Sequence, residues 1–122
     1  MERVALDQER EERILDTIVV DAYGPEEQAF GWYYYLDGML RFPFRARCIV
    51  ERVTSPVRPG EEVDVVRLAS EAACEHDMIV LIRWNDRALG IPLSQLSGIS
   101  IDEETQQAIE DWQYWTARGQ EF

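Results

Sequence analysis

The side chains of this sequence that could do chemistry are carboxylates. The chain holds 24 acidic residues against 12 basic ones, which gives it a formal net charge of −12. Hard cations such as Ca²⁺ bind about six to eight oxygen atoms, which carboxylates, backbone carbonyls and water supply. No stretch has the spacing of acids and glycine that defines an EF-hand loop, so a calcium site must be assembled from distant segments. Two places in the sequence are candidates for such a site.

The first candidate is Asp37, which precedes Gly38 where a predicted helix ends. A carboxylate at this point meets the negative end of the helix dipole and carbonyls without helical partners, which is unfavourable unless a cation binds. Carboxylate and carbonyl oxygens are the ligands that calcium uses, and glycine lets the chain wrap around an ion. The alternative is that Asp37 and Gly38 form an ordinary solvated turn.

The second candidate is the segment 70–77, which carries Glu71, Glu75 and Asp77. Three carboxylates on one short connection repel one another, so a metal ion or an arginine partner is expected there. A solvated acidic loop is the alternative. Other acidic groups are weaker candidates, because a strand start and the first turn of a helix explain them without a metal ion. They are Glu61, Glu62 and Asp64, and Asp102, Glu103 and Glu104.

Other kinds of site find little support in the sequence. His76 is the single histidine, and with the separated Cys48 and Cys74 it cannot supply the four soft ligands of a structural zinc site. The two cysteines are predicted to be buried free thiols. No glycine elbow surrounds a nucleophile and no phosphate-binding loop is present, so we predict no catalytic residue and no nucleotide cofactor. The protein is therefore predicted not to be an enzyme.

Charge and composition limit the partners. An acidic surface repels phosphate backbones and anionic lipids, and it attracts cations or basic proteins. The first residues are densely charged without an apolar signal core, and no run is apolar over the roughly 18 residues that span a bilayer. These features predict a cytoplasmic protein that binds neither nucleic acid nor membrane. The basic residues concentrate in 39–58, where Arg45 and Arg47 are predicted to pair with acids on neighbouring elements.

Three helices and several strands are predicted to position these residues in a single domain, 1–122. Apolar spacing and the Pro25 start signal favour two helices within about 8–37, and a capping-box pattern at Ser100 favours a third over about 102–118. Between them, about 42–100 holds four or five short strands rich in valine, isoleucine and aromatic residues. Val63 and Val65 alternate with Val66 and Leu68, and Trp84-Asn85-Asp86-Arg87 forms a tight hairpin. The predicted fold is α+β, a small SH3-like antiparallel barrel or curled sheet flanked by N-terminal and C-terminal helices.

Five segments together resemble the CcbP-type calcium-binding proteins of cyanobacteria. They are Asp21-Ala22-Tyr23-Gly24-Pro25-Glu26-Glu27, Gly31-Trp32-Tyr33-Tyr34-Tyr35-Leu36, Phe42-Pro43-Phe44, Pro92-Leu93-Ser94-Gln95-Leu96 and Asp111-Trp112-Gln113-Tyr114-Trp115. The resemblance spans most of the chain, and its most specific part is the GWYYYL run followed closely by FPF.

The resemblance implies a small acidic cytosolic protein that binds Ca²⁺ without EF-hands, as a buffer or sensor in calcium signalling, and is not an enzyme. The acidic position after the YYYL run of the family matches Asp37, which is thus the first expected ligand. Two departures stand out, because the family pattern often has a second acid where this chain has Gly38, and a histidine where it has Gln113. The expected metal ligands are therefore Asp37, Glu71, Glu75 and Asp77. The competing hypothesis is an acidic SH3-like interaction module that binds a basic protein partner.

Overall fold

The structure is a computed structural model that describes residues 7–20 and 22–119. Within these residues, three α-helices flank a five-stranded antiparallel sheet. The helices are α1 (Gln8–Arg13), which continues into a π-helical turn (Ile14–Ile18), α2 (Pro25–Met39) and α3 (Glu103–Ala117). The strands are β1 (Phe44–Cys48), β2 (Glu62–Leu68), β3 (Ile79–Trp84), β4 (Arg87–Pro92) and β5 (Leu96–Ile99). Short 3₁₀ turns lie at Ala72–Cys74 and Leu93–Gln95.

The sheet is open. Its strand order is β4-β3-β2-β1-β5, so β4 and β5 are opposite edges that do not pair with each other. The curled sheet with flanking helices is therefore confirmed, whereas closure into an SH3-like barrel does not occur. In β1 the alternate residues Phe44, Ala46 and Cys48 are buried and those between them are exposed. One face of the sheet thus packs in the core and the other faces solvent.

Local irregularities decide the register. The hairpin between β3 and β4 pairs Trp84 with Arg87, and Asn85 (φ 48°) and Asp86 (φ 65°) both take the left-handed conformation of a tight turn, as predicted. In β2 a register shift lies between Val65 and Arg67. Because of this bulge Leu68 is buried, as Val65 is, so the simple alternation predicted for this strand is wrong beyond Val65.

The core joins the helices through indole rings. Trp32 of α2 packs against Trp112 and Trp115 of α3, with ring centroids 5.0 and 5.5 Å apart. All three rings are buried, so the tryptophans of α3 belong to the core. Cys48 and Cys74 are buried free thiols, again as predicted. No helix in the described part of the chain is long and apolar enough to cross a membrane.

Two helix ends differ from their predicted positions. α2 continues through Gly38 to Met39 and stops at the extended residue Leu40, so Gly38 is helical and takes no left-handed cap. α3 is capped by Asp102, whose carboxylate accepts from the Thr105 N–H at 3.1 Å. The predicted cap, Ser100, lies outside the helix with φ 53°. In both cases the pattern locates the end of the helix to within about two residues, which is the usual precision of a helix boundary.

Candidate metal centre

Asp37 lies exposed on the last turn of α2. The helical hydrogen bonds end with the N–H of Leu40, which donates to the Leu36 carbonyl at 2.9 Å. The next N–H, that of Arg41, turns away and donates to Thr105 Oγ1 at 3.1 Å. The Asp37 carbonyl therefore loses its helical donor. A carboxylate and a helix-end carbonyl are thus offered by one residue, although the helix ends two residues later than predicted.

Glu71 reaches α2 from the loop between β2 and β3. It precedes the 3₁₀ turn Ala72–Cys74, whose last N–H donates to the Glu71 carbonyl at 3.1 Å. The Glu71 carboxylate is half-buried, and its Oε2 accepts a hydrogen bond from the hydroxyl of Tyr34 at 3.3 Å. This contact spans 37 positions of sequence. The fold therefore brings Glu71 against α2 at Tyr34, about one helical turn before Asp37.

The negative charges of Asp37 and Glu71 raise the pKa values of two tyrosines. The charge of Glu71 raises the pKa of Tyr34, and the charge of Asp37 adds to the same effect. Burial raises the pKa of Tyr33, and Asp37 and Glu71 both raise it further. Both carboxylates therefore lie close enough to both phenols to disfavour their ionisation. A cation between the two carboxylates would relieve this shared negative potential.

Beside these acids lies a surface cavity of about 840 Å³. It runs between the N-terminal half of α2 and the segment 71–76, and we call it the α2 groove. Three carboxylates stand on it, those of Glu26, Glu71 and Glu75. Other parts of its wall are apolar, and they are supplied by Pro25, Ala29, Phe30, Ala72 and Cys74. Glu71 and Glu75, two of the predicted ligands, thus line the same cavity.

Asp77 occupies a different environment. It is half-buried and does not line the α2 groove, and its Oδ1 accepts from the Met78 N–H at 2.8 Å. Burial raises its pKa, and the hydrogen bond and the charge of Arg52 only partly oppose that shift. The carboxylate is therefore held in the folded protein at an energetic cost.

The donor set suits calcium in chemistry but is incomplete in geometry. Carboxylate and carbonyl oxygens are the preferred ligands of Ca²⁺. Among residues 7–20 and 22–119, however, no three acids, histidines or cysteines stand close enough to hold one ion. Asp37 and Glu71 thus form a pair of candidate ligands, and carbonyls, water and a moving side chain such as that of Glu75 must complete a shell.

Most of the other candidate acids contact arginines. Arg45 Nη1 lies 2.9 Å from Asp64, and Arg47 Nη2 lies 3.1 Å from Glu62 on the adjacent strand. These pairs confirm the predicted role of the two arginines. Arg41 likewise contacts Glu104 at 2.9 Å. Four of the six weaker metal candidates, Glu62, Asp64, Asp102 and Glu104, are therefore in ion pairs with arginines.

Sequence reasoning missed a buried carboxylate, Asp111 of α3. Its side chain is 0% exposed, and it accepts from Arg13 Nη2 at 2.6 Å, from Arg10 Nη1 at 2.8 Å and from the Tyr35 hydroxyl at 2.7 Å. The contacts hold α1 and α2 against α3. A signal was present, since Asp111 lies four residues before Trp115 on the apolar stripe of its helix, where an acid needs a partner.

A protein-family model defined by calcium binding, the CcbP type, matches residues 12–116. The chain belongs to the CcbP family. Among solved structures, a crystal structure of Anabaena CcbP is 40% identical, with a TM-score of 0.86 over 100% of both chains. Another, described as a calcium-binding protein in the calcium-binding form, is 39% identical with a TM-score of 0.86, also over 100% of both chains. No functionally curated protein matches the sequence.

Membership in the CcbP family confirms the sequence-based resemblance and makes calcium the ligand of the family. It also agrees with the absence of an EF-hand loop, because the fold of helices on a curled sheet presents its acids from separate elements. The family is one of calcium-binding proteins rather than a family of enzymes.

Proposed function

We propose that this CcbP-family chain binds Ca²⁺ through Asp37 and Glu71, with Glu75 and Asp77 as further ligands, and serves as a cytoplasmic calcium buffer or sensor. The observation that supports this most is the approach of Glu71 to α2, where Tyr34 Oη and Glu71 Oε2 lie 3.3 Å apart. The charge of Asp37 also raises the pKa of the Tyr34 phenol. The main site is therefore proposed where α2 meets the β2–β3 loop.

The energetics of the acidic surface favour such a role. A chain with a net charge of −12 repels itself, and a divalent cation at two converging carboxylates reduces that repulsion. Binding to the folded state alone also stabilises it, by about 2.7 kcal/mol when free calcium is a hundredfold above Kd. Asp77 fits this scheme, because its burial without an ion has a cost that a bound cation would remove.

We further propose that the protein is not an enzyme. Cys74 is the cysteine that lines the α2 groove, and burial raises the pKa of its thiol. A catalytic cysteine needs the opposite shift, because the thiolate is the nucleophile. A second candidate function is the docking of a basic protein partner, which the acidic residues on the α2 groove favour.

Calorimetric titration tests the calcium site. Calcium is titrated into chelator-treated protein at about 100 mM salt, where exposed charges are screened beyond a Debye length of about 10 Å. Asp37→Asn and Glu71→Gln are each expected to weaken binding about tenfold or more, since each removes one charge from the ion. A magnesium titration runs in parallel, because Mg²⁺ demands a tighter octahedral shell than this dispersed set offers.

Matched controls are available on α1 and its π-helical continuation. Asp16 and Glu12 are exposed and have no ion pair among the described residues, so Asp16→Asn and Glu12→Gln remove the same charge elsewhere. They are expected to leave the calcium affinity within about twofold of wild type. Equal losses of calcium affinity in the control and test variants would show that binding depends only on the overall charge of the protein. A heat signal no larger than that of dilution would overturn the proposal.

A further inference from the structure

The α2 groove contains exposed apolar side chains, which do not bind a metal ion. Phe30 is 42% exposed, and its ring stacks on that of Tyr34 with centroids 6.4 Å apart. Ala72 on the facing 3₁₀ turn is exposed as well. A hydrated cation gains nothing from such carbon surface, whereas exposed apolar side chains grouped in one cavity mark a site for an apolar group.

Beside this apolar wall the groove is lined by three acids and by His76, and by no arginine among the residues that the structure describes. Glu26, Glu71 and Glu75 line the groove, and none of them has an arginine partner among the described ion pairs. This separates them from Asp64 and Glu62, which are paired with Arg45 and Arg47. Unpaired acids beside carbon surface attract a cationic group and orient it.

The size of the groove selects among cationic, partly apolar ligands. A volume of about 840 Å³ exceeds a single lysine or arginine side chain and lies within the range of about 300 to 1,000 Å³ typical of ligand sites. An apolar side chain flanked by lysine or arginine fits both features, because the long aliphatic stems of those residues also bury against carbon.

We propose that the α2 groove docks a segment of a partner protein in which bulky apolar residues are flanked by lysine or arginine. The apolar residues contact Phe30 and Ala72, and the basic groups pair with Glu26 and Glu75. The proposal rests on the second candidate function and deepens it. It does not depend on calcium binding, although Glu71 belongs both to the groove and to the proposed metal centre. Glu26 lies in the first turn of α2, outside the proposed calcium ligands, so the two activities can be separated by mutation.

The test uses a fluorescein-labelled synthetic peptide with a Leu-Phe pair flanked by lysines, titrated with the calcium-free protein at about 100 mM salt. Saturable anisotropy is expected with this peptide and not with the same peptide carrying glutamates in place of the lysines. Glu26→Gln is expected to weaken binding about two- to fivefold, the range for one exposed ion pair, and to leave calcium affinity unchanged.

A pair of neighbouring alanines gives a matched test of the surface. Ala72 and Ala73 are both exposed on the 3₁₀ turn, but only Ala72 lines the groove. Ala72→Arg puts bulk and positive charge into the groove and is expected to weaken the peptide about tenfold or more, whereas Ala73→Arg stays within about twofold of wild type. Near-ultraviolet circular dichroism of the tryptophan core checks that both variants fold.

The outcomes separate the two proposals. No saturable binding of the lysine peptide, or equal binding by Ala72→Arg and Ala73→Arg, overturns the docking site. Protein that binds calcium in the calorimeter but not the peptide overturns docking alone. Protein that binds the peptide with the expected pattern but shows no calcium heat supports docking and overturns the calcium proposal.

Discussion

The Tyr34 hydroxyl and the Glu71 carboxylate meet at 3.3 Å and join α2 to the loop between β2 and β3. The charge of Glu71 is the main reason why the pKa of Tyr34 is raised. This phenol can therefore report on the proposed calcium centre without taking part in it. A cation bound near Glu71 would lower the pKa of Tyr34, and removal of the Glu71 carboxylate would lower it as well.

Titration of Tyr34 is expected to respond to calcium. Saturating Ca²⁺ neutralises the charges of Glu71 and Asp37, so the pKa of Tyr34 should fall toward its ordinary value, and Glu71→Gln should lower it without calcium. Ultraviolet absorbance followed at alkaline pH measures the change, and Tyr34→Phe identifies the transition that belongs to this residue. An unchanged Tyr34 transition in saturating calcium would place the ion away from Glu71.

Asp77→Asn is expected to stabilise the calcium-free protein near neutral pH. Because burial raises the pKa of Asp77, the unfolded chain ionises at lower pH than the folded one, and wild type loses stability as pH rises from about 3.8 through the raised value. Asparagine keeps an oxygen for the Met78 N–H and carries no charge. Urea unfolding should show a difference at pH 7 that disappears below the unfolded pKa. A variant less stable than wild type at neutral pH would contradict this sign.

Asp111 should be the costliest single charge to remove. Asp111→Asn leaves Arg10 and Arg13 facing a neutral group at a buried position, which costs about 3 kcal/mol or more of unfolding free energy. Asp64→Asn is the matched control, since it breaks the exposed pair with Arg45 and should cost less than about 1 kcal/mol. Equal losses in urea unfolding would show that the buried contacts do not hold the helices together.

Two glycines of α2 should respond in opposite directions to alanine. A Cβ on Gly31 would overlap the Ile18 carbonyl oxygen at the end of the π-helical turn, so Gly31→Ala is expected to destabilise the fold by about 1–3 kcal/mol. Gly38 is helical with open space around it, so Gly38→Ala should add about 0.5–1 kcal/mol. Thermal unfolding of both variants checks the contrast, which fails if Gly31→Ala is tolerated.

Calcium and a basic peptide should weaken each other. Glu71 belongs to both the proposed metal centre and the α2 groove, and coupling between two ligands at equilibrium is reciprocal. Peptide anisotropy measured at increasing Ca²⁺ should show lower affinity, and calorimetry with saturating peptide should show calcium weakened by the same factor. In Glu71→Gln this mutual effect should shrink. Calcium that strengthens peptide binding would contradict a shared carboxylate.

Local signals in the sequence determined most of the secondary structure. Pro25 with the acids after it begins α2 as predicted, and Asn85-Asp86 makes the tight hairpin, because each of these preferences acts over a few adjacent residues. The family, the acidic character and the two regions richest in candidate ligands also follow from residue types and their order alone. The sequence thus predicts Asp37 and Glu71 as separate candidates and carries no information on the contact between their elements.

Only the tertiary structure decided which residues, distant in sequence, these side chains contact. The bulge in β2 buries Leu68, and the burial of Asp111 depends on Arg10 and Arg13 about a hundred positions away. The approach of Glu71 to Tyr34 depends on the position of α2 beside the β2–β3 loop. The groove exists only because a helix and a loop from different parts of the chain stand side by side. Propensity and periodicity describe neighbours in sequence, whereas the energy of a buried charge or an apolar cavity depends on neighbours in space.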